Sequence, residues 1–153
     1  MPFKKRVWKQ SQVIMAISNG EIAKIFREIG EFLVMENALV FKSRAYSKAA
    51  DTIESAARQM NDLYQQGGLQ ALEKIEGVGA SLAEKIEELL KTGHLRYYDR
   101  LKKKMPVKIT ELRAVEGLGA KNIQTLYKKL GVRTLKELER AARAGKIRSV
   151  TGF

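Results

Sequence analysis

One twelve-residue pattern occurs twice. Ile75–Ile86 reads IEGVGASLAEKI, and forty residues later Val115–Leu126 reads VEGLGAKNIQTL. In each copy an apolar residue and an acid precede a Gly-apolar-Gly corner, and a small residue opens an amphipathic helix. The corner glycines permit positive φ and let another backbone come close, because no Cβ stands in the way. Leu72/Leu112, Ile86/Leu126 and Leu90/Leu130 extend the match to a short helix before each corner and a longer one after it. Two copies are too few for a solenoid. The chain must therefore build small helical units around two separate hairpins.

The rest of the pattern is also helical. Alternating β-branched runs are absent, and proline occurs only at Pro2 and Pro106. Ser18-Asn19-Gly20-Glu21 has the form of a capping box, followed by Ile22, Ile25, Phe26, Ile29 and Leu33 at helical spacing. Further helices are expected over about 42–59 and 62–66, with a stop at Gly67-Gly68. Others are expected over 69–74, 80–91 ending at Gly93, 95–104, 110–114 and 120–130 ending at Gly131. A last one runs over 135–144, capped by Thr134 and closed by Gly145. The fold class is all-α. Pro106 marks a break, which predicts a basic N-terminal extension over 1–18, a helical domain over 19–105 and a smaller module over 106–153.

The charge is unevenly placed. Residues 1–90 hold 12 Lys/Arg and 12 Asp/Glu, whereas 91–153 hold 17 and 5, so the whole net charge of +12 sits in the second stretch. Such a block attracts polyanions. It lacks the bulky apolar face of an interfacial helix, which disfavours a membrane surface. There are no cysteines and a single histidine, His94, so disulfides, thiolate metal sites and a histidine-built zinc site are excluded. No apolar run approaches the roughly 20 residues that span a bilayer. Val13–Ile17, after the basic Lys4-Lys5-Arg6, is too short for a signal peptide. The expected compartment is the cytoplasm, with nucleoid association in a prokaryote.

A glycine corner that opens a helix offers main-chain N–H groups and the positive end of the helix dipole, which suits phosphate oxygens. Main-chain contact of that kind ignores base sequence. Gly77, Gly79, Gly117 and Gly119, with Ser81 and Lys121 in the first turns, are the candidate phosphate contacts.

Both copies resemble the helix-hairpin-helix motif. FKSRAYSKAA (Phe41–Ala50), IEGVGASLAEKIEELLKTG (Ile75–Gly93) and LRAVEGLGAKNIQTLYKKLGVRTLKELERAARAGKI (Leu112–Ile147) together resemble the N-terminal part of family X DNA polymerases, of the DNA polymerase beta-like, bacterial and archaeal type. The match extends over about 19–153. The resemblance implies a lyase-type helical domain holding the 5′ side of a gap, then a duplex-binding subdomain holding the primer side. The expected partner is DNA that is gapped, nicked or 5′-phosphorylated. It further implies Na+ or K+ on the hairpin carbonyls near Gly77, Gly79, Gly117 and Gly119. No metal is expected on side chains, and lyase chemistry needs no cofactor. In the family, Thr151-Gly152-Phe153 would begin a further glycine corner, so the second subdomain is expected to be truncated. No acid follows Glu139, so two-metal nucleotide transfer is not expected of these residues alone.

The resemblance also implies a role for Lys85, whose counterpart in the second copy is Thr125. A lysine in this AEKI context is the family's nucleophile for 5′-deoxyribose phosphate lyase action. Its neutral amine forms a Schiff base with the sugar aldehyde, and loss of a proton from the neighbouring carbon lets phosphate leave by β-elimination. Lys42, Tyr46 and Lys48 match positions that line the sugar-phosphate pocket. Lys42 and Tyr46 are spaced i,i+4 and share a helix face. Lys48 lies off that face, and its place rests on the resemblance. Two positions depart from the pattern: Ser81 and Ser47 stand where a lysine and an arginine are usual. Glu84 and Glu88 lie one residue before and three after Lys85, where they would favour its charged form unless turned away.

Two other readings stay open from the residues alone. One is a non-enzymatic helix-hairpin-helix scaffold on branched or gapped DNA. The other is a structural helical protein whose basic stretch binds RNA or a membrane. Trp8, Tyr97 and Tyr98 are candidates for base stacking.

Overall fold

The structure is a computed structural model and describes residues 17–153. The N-terminal extension up to residue 16, with Trp8 and the Lys4-Lys5-Arg6 start, lies outside the described residues. Among the described residues the chain is all-helical. Its elements are α1 (Asn19–Met35), α2 (Val40–Ser55), α3 (Met60–Glu73), α4 (Ala80–Thr92), α5 (Arg96–Lys104), α6 (Ile109–Arg113), α7 (Ala120–Leu130), α8 (Leu135–Arg143) and a 3-10 turn (Ile147–Ser149).

Helix starts follow local chemistry. The Ser18 hydroxyl accepts from the Glu21 N–H at 3.2 Å, and the Thr134 hydroxyl accepts from the Glu137 N–H at 3.2 Å. These are the side-chain caps that the sequence predicts. Gly68 leaves helical geometry inside α3 (φ 65°, ψ −154°), at the expected Gly67-Gly68 stop. Helix α2 ends at Ser55, earlier than the expected 59, and α3 starts at Met60 rather than 62. Asn19 accounts for the intervening loop. Its side chain donates to the Arg58 carbonyl at 2.9 Å and accepts from the Met60 N–H at 2.7 Å. Its own N–H donates to Gln59 Oε1 at 3.0 Å.

Two compact units result. Among the described residues, one contains 17–27 and Ala45–Arg96; the other contains Glu28–Arg44 and Tyr97–Phe153. Each unit thus takes a piece of α1 and a piece of α2.

In the first unit Ile22, Phe26, Ile53, Met60, Leu72, Ile86 and Leu89 are fully buried. Tyr46 joins them, its ring edge-on to Phe26 with centroids 5.4 Å apart. Arg27 crosses to Asp51 at 2.9 Å and to Glu54, and both carboxylates hold the guanidinium above its ordinary pKa, Glu54 most strongly.

In the second unit Ile29, Phe32, Leu33, Ile109, Leu112, Ile123 and Leu126 form the core. Around it Glu28 accepts from Thr110 at 2.9 Å and from the Tyr98 hydroxyl. Arg113 pairs with Glu31 at 3.0 Å and Lys104 with Glu36 at 3.5 Å. These partners draw residues 28–44 into that unit.

Candidate nucleic-acid interface

The two glycine corners are copies in three dimensions. Gly77 and Gly117 adopt φ of 82° and 80°, a region costly for any residue with a Cβ. Gly79 and Gly119 then precede their helices with extended backbone, φ −84° and −87°. The Ile75 carbonyl accepts from Val78 N–H at 3.0 Å, and the Val115 carbonyl accepts from Leu118 N–H at 3.1 Å. The first helical bonds also correspond, Ala83 to Gly79 at 2.9 Å and Ile123 to Gly119 at 3.0 Å.

The mouths of α4 and α7 differ from those of α1 and α8. No side chain caps α4 or α7, so the first-turn N–H groups keep their capacity for an acceptor from outside. A Cβ placed on Gly79, Gly117 or Gly119 would meet nothing within 4 Å. Uncapped donors and open space coincide at both corners.

The structure sorts the candidate side chains. Lys48, exposed on α2, lies against the first corner: its Cγ is 3.8 Å from where a Cβ on Gly77 would stand. Ser81 is in the first turn of α4, and its hydroxyl accepts from the Lys85 amine at 3.1 Å. Lys85 is half-buried. Glu88 turns to α5, where its carboxylate accepts from the Arg96 N–H at 2.7 Å. In the second copy the Thr125 hydroxyl bonds back to the Lys121 carbonyl at 3.0 Å, so no amine stands at that position.

Tyr46 is 3% exposed, and its ring serves the core of the first unit. Lys42, four residues earlier, is exposed and belongs to the second unit, where its amine lies 5.7 Å from the Tyr97 ring centroid. Arg100 approaches the same ring at 5.9 Å. Tyr97 thus carries cations rather than packing as a purely apolar core residue. Tyr98 is held by Glu28 and has Lys102 4.3 Å from its ring centroid. Burial first, and then the Glu28 hydrogen bond, push its phenol well above the ordinary value. Lys121, at the mouth of α7, is exposed and bonded to the Asn37 side chain.

One feature of the second corner is invisible in the sequence. Arg113 Nη1 donates to the Leu118 carbonyl at 2.9 Å, and its Nε is held by Glu31 at 3.0 Å. Leu118 lies between Gly117 and Gly119, so a guanidinium occupies a carbonyl of the corner itself. The register places Glu73 at the corresponding position of the first copy. The Leu118 carbonyl therefore carries a fixed cation, whereas the first copy has an acid at the position that matches Arg113.

Residues 17–95 match the model of the helix-hairpin-helix domain family, just over half of the 153-residue chain. The chain belongs to the helix-hairpin-helix family. It is also homologous to family X DNA polymerases. It is 26% identical over 133 residues to DNA polymerase/3′-5′ exonuclease PolX of Bacillus subtilis (strain 168), covering 87% of this chain and 22% of that protein. To DNA polymerase lambda of Rattus norvegicus it is 31% identical over 98 residues, 64% of this chain and 16% of that protein. The chain thus spans about a fifth of the length of these curated relatives. The helix-hairpin-helix match covers the first corner, and the internal repeat carries the same geometry to the second. Among the described residues no helix is long and apolar enough to cross a membrane.

Proposed function

We propose that this helix-hairpin-helix chain binds the sugar-phosphate backbone of DNA without reading its sequence, as part of a family X polymerase working at gaps or nicks in repair. The observation that carries this reading is the pair of uncapped helix mouths behind glycine corners with open space around them. An acceptor-rich strand supplies what the first-turn N–H groups lack. Lys48 at the first corner and the excess of cations after residue 90 add charge that main-chain donors alone do not provide.

Binding to a gapped duplex should fall steeply with salt and be indifferent to base composition. Stronger binding to single-stranded RNA or to anionic vesicles than to gapped DNA would overturn the reading.

A second element concerns Lys85. Lys85 is half-buried, and its amine donates to the Ser81 hydroxyl in the turn that follows the first corner, which favours 5′-deoxyribose phosphate lyase action. A strand gripped at the corner would bring a 5′-terminal sugar aldehyde towards α4. Attack by the Lys85 amine with loss of water gives an imine. Loss of the proton on the neighbouring carbon then breaks the bond to the phosphate oxygen, and water releases the lysine. Borohydride reduction on incised abasic DNA tests this: a covalent adduct that disappears in Lys85→Ala supports lyase action. Tight binding with no adduct leaves the chain a non-enzymatic scaffold. Na+ or K+ at the first corner's carbonyls belongs to the same proposal.

A further inference from the structure

We infer that the guanidinium of Arg113 takes the place of a monovalent ion at the second corner, so that the two hairpins differ in what they require from solution. The inference deepens the backbone-binding role proposed above.

The Leu118 oxygen projects from a turn whose neighbours are both glycines, and Arg113 Nη1 reaches it at 2.9 Å. Carbonyl oxygens in tight turns coordinate K+ or Na+ by replacing hydration water. A guanidinium meets the same oxygen with the same single positive charge. It cannot be dialysed away, and it does not deprotonate in the working range of proteins.

Its position is also braced. Glu31 accepts from Nε at 3.0 Å, and Glu31 is itself part of α1. An arginine that only served the ion pair would have no need to bond a carbonyl inside the corner.

The internal repeat supplies the comparison. The two corners match in their glycine φ values and hydrogen bonds, and they differ at the residue that ends the preceding short helix. There the first copy has Glu73 and the second has Arg113. The counterpart of Leu118 in the first copy is Val78. A cation from solution would be repelled from the Leu118 oxygen, which is already paired with arginine.

The test uses the full chain without DNA. Amide spectra of the 15N-labelled protein are followed while KCl replaces tetramethylammonium chloride at constant ionic strength. The wild-type amides of Gly117, Leu118 and Gly119 should stay still, since no ion enters. In Arg113→Ala the freed carbonyl should admit K+, and the same amides should move saturably. Glu31→Gln removes the ion pair but keeps the carbonyl bond, and should behave like the wild type. Saturable movement in the wild type would overturn the inference, and so would a silent Arg113→Ala. The wild-type arm needs no substitution, so it decides even if a variant fails to fold. Failure here leaves DNA binding untouched, and absence of DNA binding leaves this result standing.

Discussion

The aliphatic chain of Lys48 lies along Gly77, with its Cγ 3.8 Å and its Cε 3.9 Å from where a Cβ on that glycine would stand. A lysine on α2 is thereby kept beside the corner that opens α4. The two glycines of this corner should respond differently to substitution. Alanine at Gly77 must adopt φ near 82°, which costs about 1–2 kcal/mol and should lower the melting temperature. Alanine at Gly79 has an ordinary φ of −84° and meets nothing within 4 Å, so the melting temperature should hold. Its methyl would nonetheless stand where a phosphate strand must approach. Gly79→Ala and Gly119→Ala should therefore weaken binding to gapped DNA while melting like the wild type. Unchanged affinity in both would refute main-chain phosphate contact.

Lys48 and Lys85 should separate charge from chemistry. Lys48→Gln removes the cation beside the first corner and should lower the salt slope of DNA binding by about one. It should leave the borohydride adduct in place at saturating DNA. Lys85→Ala should abolish the adduct, and Ser81→Ala should retain it. Trapping that survives in Lys85→Ala would assign the Schiff base to another lysine.

Much of this arrangement was legible because its causes are local. A serine or threonine three residues before a glutamate caps its own helix, as Ser18 and Thr134 do. A glycine corner before a small residue and an amphipathic run sets up its own hairpin, and the repeat announced two of them. What stayed hidden depends on partners far along the chain. Arg113 meets Glu31 across 82 positions, and nothing in LRAVEGLG indicates that its arginine folds back onto the corner. Spacing placed Lys42 and Tyr46 on one face, yet Tyr46 is buried and Lys42 is exposed near the start of α2. Helical spacing gives direction around an axis but not which turns of a helix are covered. Lys48 shows the reverse: the wheel set it apart, and packing brought it to the first corner.

Asn19 should be the most sensitive polar residue in the first unit. It is 4% exposed and satisfies both the Arg58 carbonyl and the Met60 N–H. Asn19→Ala would orphan both groups, at a cost of about 2–3 kcal/mol, measurable as a lower urea midpoint with an unchanged slope. Asn19→Asp, which can still accept from Met60 but cannot donate to Arg58, should lie between the two. A loss below roughly 0.5 kcal/mol in Asn19→Ala would mean that water replaces the asparagine.

Tyr97 should act through Lys42. The Lys42 amine and the Arg100 guanidinium both approach its ring, and an aromatic face rather than a hydroxyl attracts them. Tyr97→Phe should keep the affinity for a 5′-phosphorylated gap. Tyr97→Leu should weaken it about two- to fivefold, the range of an exposed cation–ring contact. Adding Lys42→Ala to Tyr97→Leu should cost less than it does alone. Strict additivity would show that the ring does not hold the lysine for DNA.

Tyr98 ties stability to alkaline pH. Burial and the Glu28 carboxylate both favour its neutral form, so its folded pKa lies above the ordinary 10.0. In the unfolded chain the phenol loses its proton near 10, while the folded chain retains it. Above that pH the unfolded state therefore binds fewer protons, and stability must fall as pH rises. Below about pH 9 the contribution is complete and flat. Urea unfolding from roughly pH 8 to 11 should show this decline in the wild type and a shallower one in Tyr98→Phe, which lacks the ionisable group. The variant should be less stable at neutral pH, because Glu28 loses a donor, and should converge on the wild type at high pH. Parallel curves across the range would mean that Tyr98 ionises as freely in the folded protein as in the unfolded chain, and that Glu28 does not hold its proton.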